Sequence, residues 1–130
     1  MFSNYYEGKA LDHLLAGQAF TPPTTIYVAL FTTLPANDGT GGTEVSGGAY
    51  ARQAITFGTH TGGAPAQIAS NALVQFPTAT ASWGTIVGCA LYDAVTAGNM
   101  LESGPLVTSK TIGTGDAFSF PVGTYTISMS

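Results

Sequence analysis

A chain of 130 residues suits one domain and buries roughly two-thirds of the surface its unfolded form exposes; here only 8% of residues are charged and 45% are hydrophobic. Thr, Ser, Gly and Ala fill 63 positions, so hydroxyls and small residues must cover most of the surface. Three basic residues against seven acidic ones, a net charge of -4, cannot neutralise a row of phosphates, which argues against direct nucleic-acid binding.

The opening stretch, MFSNYYEGKALDHLL, carries charges throughout and lacks the apolar run and small-residue cleavage site of a signal peptide. The protein is therefore expected to be made and left in the cytoplasm. No uncharged apolar run approaches the ~18 residues needed to span a bilayer, so membrane insertion is not expected. Asn4 and Glu7 have the spacing of an N-cap and its reciprocal partner, Ala10, Leu11, Leu14 and Leu15 form a stripe at helical spacing, and Gly17 stands where a helix would end. Residues 1–20 are read as an N-terminal helical segment and 21–130 as the rest of a single β-sandwich domain.

TPPTT, at Thr21 to Thr25, blocks helix and launches IYVALFT, whose β-branched and aromatic residues on both faces predict a buried strand. Further strands are predicted at Arg52 to Phe57, Ala72 to Phe76, Thr85 to Tyr92, Met100 to Leu101 running toward Val107, and Thr124 to Met129, with FSFP at Phe118 to Pro121 as another. Between them lie two glycine-rich loops, LPANDGTGGTEVSGG and GTHTGGAPA. Many short strands without crossover helices predict a mainly β protein, an antiparallel sandwich of jelly-roll type with one short N-terminal helix.

The residues assemble no catalytic constellation. His13 sits beside Asp12 on the helix, His60 has no partner at a fixed short spacing, and there is no Gly-x-Ser-x-Gly elbow. GTGD at Gly113 to Asp116 and NDGTGG at Asn37 to Gly42 lack the residues that complete phosphate or calcium loops and read as turns. Carboxylates that a glycosidase would need could be drawn from Asp38, Glu44, Asp93, Glu102 and Asp116, but spacing supports no pair. Cys89, the only cysteine, is read as an inert core thiol. No catalytic residue, cofactor or metal is expected.

Two residues stand out. Arg52 is the only arginine in the chain and follows a Gly-Gly pair; it reads as a peg that ties a loop to a sheet through a bidentate pair with Glu44 or Asp93. Trp83, between a polar turn and the most apolar strand, reads as a core plug at the rim of the sandwich, with an exposed sugar-stacking platform as the alternative.

The Ser-Gly-Gly-x-Tyr-x-Arg run at Ser46 to Arg52, the Ser-Trp-Gly at Ser82 to Gly84 and the Ser-Lys-Thr-x-x-x-Gly-Asp at Ser109 to Asp116, in the order in which they stand here, resemble a family of small tailed-bacteriophage proteins commonly labelled tail fibre proteins. The resemblance covers nearly the whole chain and implies a virion component. The chain has no heptad, Gly-x-y or tandem β-repeat from which to build a shaft, so a compact knob is expected. Two binding roles are open: a cement or decoration protein on the outer capsid, which is favoured, or a small tip that touches the host receptor. A small polysaccharide-degrading domain is a minor alternative.

The expected partners are the chain itself, the major capsid protein or other virion proteins, and a host cell-surface glycan. The homotrimer among these is implied by the resemblance, because phage cement proteins often sit at three-fold positions. Leu11, Leu14 and Leu15 either offer an apolar face to a neighbour or cover an end of the subunit's own sandwich.

Overall fold

The computed structural model describes residues 1–129. Helix α1 (Asn4–Leu14) is followed by nine strands: β1 (Ile26–Thr33), β2 (Thr43–Glu44), β3 (Gln53–Ile55), β4 (Ala66–Ala69), β5 (Val74–Gln75), β6 (Gly84–Tyr92), β7 (Met100–Ile112), β8 (Ser119–Phe120) and β9 (Thr126–Met129). The fold is mainly β, every pairing is antiparallel, and the helix is short and N-terminal. The main sheet has five strands in the order β2-β1-β6-β7, with β3 also paired to β1. The facing layer is two ribbons, β4 with β9 and β5 with β8, in place of a jelly roll's second full sheet.

The apolar character of β1 on both faces follows from burial on both sides. Val28 and Leu30 join the larger core, under the ribbons, while Ala29 and Phe31 join a second cluster with Ala90, Tyr92 and Met100 that Leu34 packs against. In β6 the alternation breaks: Ile86 and then Cys89 and Leu91 enter the same large core. An irregular stretch explains it. Ile86 pairs Lys110 and Gly88 pairs Pro105, so four residues of β7 stand opposite Val87 alone, and the displaced pleat exchanges the faces. Gly88 is required here, because a Cβ would meet Leu34 Cδ2 at 2.5 Å and the Gly104 carbonyl at 2.7 Å.

The large core is built on aromatic edges and faces. Tyr50, Trp83, Phe76, Phe118, Phe120 and Tyr125 contact one another in succession with centroids 5.2–6.4 Å apart, mostly edge to face. This geometry suits ring quadrupoles and gives a small domain more burial per residue than aliphatics alone. Beside it lies a buried polar chain: the Cys89 thiol donates to the Tyr125 hydroxyl (3.5 Å), which donates to Glu102 Oε1 (3.2 Å), while Oε2 accepts from the Met1 amino group (3.0 Å). Glu102 is only 8% exposed, and these partners keep its charge tolerable.

Two details of the sequence reading change. The N-cap is Ser3 and not Asn4: Ser3 Oγ accepts from Tyr6 N at 3.0 Å and donates to the Met100 carbonyl, and that second bond to β7 draws Ser3 into the core. Strand β2 lies inside the first segment read as a glycine-rich loop, and β4 starts at the last residue of the second, Ala66.

Burial raises the Cys89 thiol to about 11 and also raises the Tyr125 and Tyr50 hydroxyls above their ordinary value. The thiol of the unfolded chain loses its proton near 9, so above that pH the unfolded state binds fewer protons than the native one and stability falls as pH rises. Thermal melts should therefore drop progressively as the pH rises from about 9 toward about 11. A flat profile across that window would contradict the buried placement of these groups.

Candidate functional site

Arg52 stands one residue before β3, and its guanidinium is the densest polar junction in the described residues. Nε donates to Glu44 Oε2 at 2.9 Å and Nη2 to Glu44 Oε1 at 2.8 Å, the two parallel bonds of a guanidinium–carboxylate fork. Nη1 donates to the carbonyls of Ala94 (3.0 Å) and Ala97 (2.8 Å), in the turn between β6 and β7. The planar head lies 3.8 Å from the ring centroid of Tyr92, a cation–π contact. Only 8% of the Arg52 side chain is exposed. That burial opposes the charged form, but the bonds and charge of Glu44 outweigh it and hold the guanidinium pKa above its ordinary value.

Tyr50 completes the junction. Strand β1 pairs β3 through Ile26–Val28 and β2 through Phe31 and Thr33, which leaves Leu30 between the two ladders. Its N–H donates to the Tyr50 hydroxyl at 3.0 Å, and that hydroxyl donates to Glu44 Oε2 at 2.7 Å. Above the junction is an open cleft of about 350 Å³ between the Glu44–Arg52 loop and the Val95–Ala97 turn, with Val95 half exposed at its edge.

Asp93, the other acceptor considered for Arg52, is used locally: it accepts from Asn99 N at 2.7 Å and Asn99 Nδ2 at 2.9 Å, which closes the same turn. Trp83 is 4% exposed, and its indole donates to the Gly48 carbonyl at 2.9 Å. The ring is thus packed inside and offers no platform. Gly48 has φ +58°, and a Cβ there would meet Trp83 Nε1 at 2.8 Å, which is why the Gly-Gly pair precedes Tyr50 and Arg52.

Leu11, Leu14 and Leu15 are 58%, 75% and 79% exposed, and no residue of α1 is buried, so the leucine stripe covers none of the core. His13 Nδ1 lies 3.0 Å from the Gln18 carbonyl beyond the helix end. The two turn motifs close on themselves: Asp38 accepts from Thr40 N and Oγ1, which lowers its pKa, and Asp116 accepts from Gly113 N at 2.8 Å. Among the described residues no three His, Cys, Asp or Glu side chains come together as metal ligands, and no helix is long and apolar enough to cross a membrane.

Two substitutions probe the junction. Arg52→Met strands the Glu44 carboxylate and should cost about 3 kcal/mol, whereas Arg52→Lys retains charge without the fork and should cost about 1–2 kcal/mol. In both, thermolysin should cut faster around Val45; unchanged resistance there would count against Arg52 as the fastening of the loop. Trp83→Ala should cost about 3–5 kcal/mol, measured by urea unfolding, because it empties a ring-sized volume beside Tyr50 and Phe76.

No curated protein matches the chain. A family model described as podophage GP4 fiber I protein gp80 matches residues 1–128, almost the full length, so everything from α1 through the Arg52 junction to all but the last residue of β9 lies within the match. That agrees with the resemblance to phage tail fibre proteins. The chain belongs to the Gp80 family of podophage fibre proteins.

Proposed function

We propose that this phage structural protein is a compact knob carried by a tail fibre, and that it binds a receptor on the host surface through the loop end built around Arg52. The observation that carries the reading is the family match over residues 1–128 in a chain with no repeat from which a shaft could be made. The description of that family favours the fibre role over the capsid cement that size and composition suggested. The geometry supplies the rest of the support. Arg52 fixes two loops to a sheet buried on both faces, and the cleft above them is open, lined by Ser46, Tyr50, Val95 and Thr96 beside the Arg52–Glu44 pair. Loops held on a rigid scaffold are where binding sites are usually placed.

The protein acts by binding, without catalysis. A host surface glycan suits a shallow cleft edged by an aromatic ring and hydroxyls. Self-association as a homotrimer fits the same reading, since repetition multiplies weak contacts and Leu11, Leu14 and Leu15 stand open on α1.

Antibody raised against the purified protein should label the tail region of intact virions, and the protein should sediment with host cells rather than with emptied capsids. Val95→Glu at the cleft edge should abolish cell binding without lowering Tm. Label on the capsid shell, with binding to emptied capsids, would return the cement role. Light scattering should give a trimer mass; a strictly monomeric mass at high concentration would end that part of the proposal.

A further inference from the structure

A second site lies on the opposite side of the large core, between α1, the main sheet and the β4/β9 ribbon. A cavity of about 340 Å³ opens there, walled by Phe2, Ile68, Ile127 and Met129. A second, of about 260 Å³, lies along α1 and shares Tyr6, Ile26 and Leu101 with the first, so the two adjoin as one apolar trough. Apolar hollows of this size with a few polar groups at the rim are the usual form of small-molecule sites.

The rim carries a charge pattern unlike the rest of the chain. Lys9 is one of only three basic residues, and it borders the smaller cavity together with His13, while His60 borders the larger one. The single carboxylate among the lining residues, Glu102, is already held by the Met1 amino group and the Tyr125 hydroxyl. The remaining carboxylates of this acidic protein line neither cavity. A cationic group at the rim over an apolar floor complements a molecule with an anionic head and a hydrocarbon tail.

We infer that the trough binds a single-chain anionic amphiphile, with the chemistry of a fatty-acid carboxylate: the alkyl tail lies against Phe2, Ile26, Ile68 and Leu101, and the carboxylate stays at the mouth with the Lys9 ammonium. The site is separate from the Arg52 cleft and does not depend on the fibre reading.

Calorimetric titration with sodium octanoate, decanoate and dodecanoate, each below its micellar concentration, tests it. Affinity should rise about three- to fourfold for each added methylene until the cavity is filled. Dodecylamine, with the same tail and the opposite charge, should bind at least tenfold more weakly than dodecanoate. Ala66→Trp, which places a ring in the larger cavity, should abolish binding. Lys9→Glu, on the exposed helix surface where folding is not at risk, should weaken dodecanoate several-fold and leave the Tm unchanged. Affinity that ignores tail length, equal binding of dodecylamine, or dodecanoate binding unaffected by Lys9→Glu would overturn the proposal. So would binding to phosphatidylglycerol vesicles without binding to free dodecanoate, which would mark the helix as a membrane-surface contact instead.

Discussion

The Arg52–Glu44 fork is the contact on which one side of the molecule depends, because each of its bonds completes another that would otherwise fail. The ladder on the outer edge of β1 is interrupted at Leu30, whose N–H has only the Tyr50 hydroxyl to receive it. That hydroxyl can accept because its own proton goes to Glu44, and Glu44 can sit three-quarters buried because Arg52 neutralises it. The last donors of the guanidinium then reach two carbonyls of the β6–β7 turn, more than forty residues away. Such a network is cooperative in the low dielectric of a packed edge. In a chain with three basic residues there is no second group to replace it.

The same edge shows how a protein of small residues obtains rigidity. Two glycines admit close approach: Gly48 brings its carbonyl onto the Trp83 indole, and Gly88 lets Leu34 lie across the centre of β6. Each allows a large side chain to pack on backbone. The main sheet is thereby covered on one face by ribbons and aromatic rings and on the other by Leu34 with Phe31 and Tyr92. The loop that carries Arg52 is fixed from below as well, because Val45 and Tyr50 pack into or against the large core.

Legibility in the sequence followed the range of the interactions. Strand β1 was readable because burial on both faces leaves no polar position in IYVALF, and β6 because GCALY has the same character. Arg52 was readable by scarcity, and Glu44 by its nearness in the chain. Tyr50, Tyr92 and the carbonyls of Ala94 and Ala97 were not, since nothing local signals a partner brought up by the β6–β7 turn. Strand β4 has no alternation of its own, and its place is set by pairing with β9 at the far end of the chain. The cap of α1 was misplaced by one residue for a similar reason: what selects Ser3 is its bond to β7, about a hundred residues on.

Helix α1 has the weakest local support. Eleven residues that include Gly8, with nothing buried, do not make a stable helix alone in water. Its order comes from its first turn: the Ser3 cap, the bond from Asn4 N to the Asn37 carbonyl, and the strap of residues 1–3 paired to β7 at Glu102. The last turn, with Leu11, Leu14 and Leu15, has no comparable tie to the sheet and should open at lower free energy than the core. The leucines therefore lie on the part of the fold whose order gains most from a neighbour. Because Leu14 lines the trough together with Tyr5, Tyr6 and Lys9, anything that fills the trough also steadies the last turn of the helix, which carries the leucines. The trough and the exposed leucines are thus coupled through the stability of one short helix, and filling the trough raises the order available to a neighbour that covers Leu11 and Leu15.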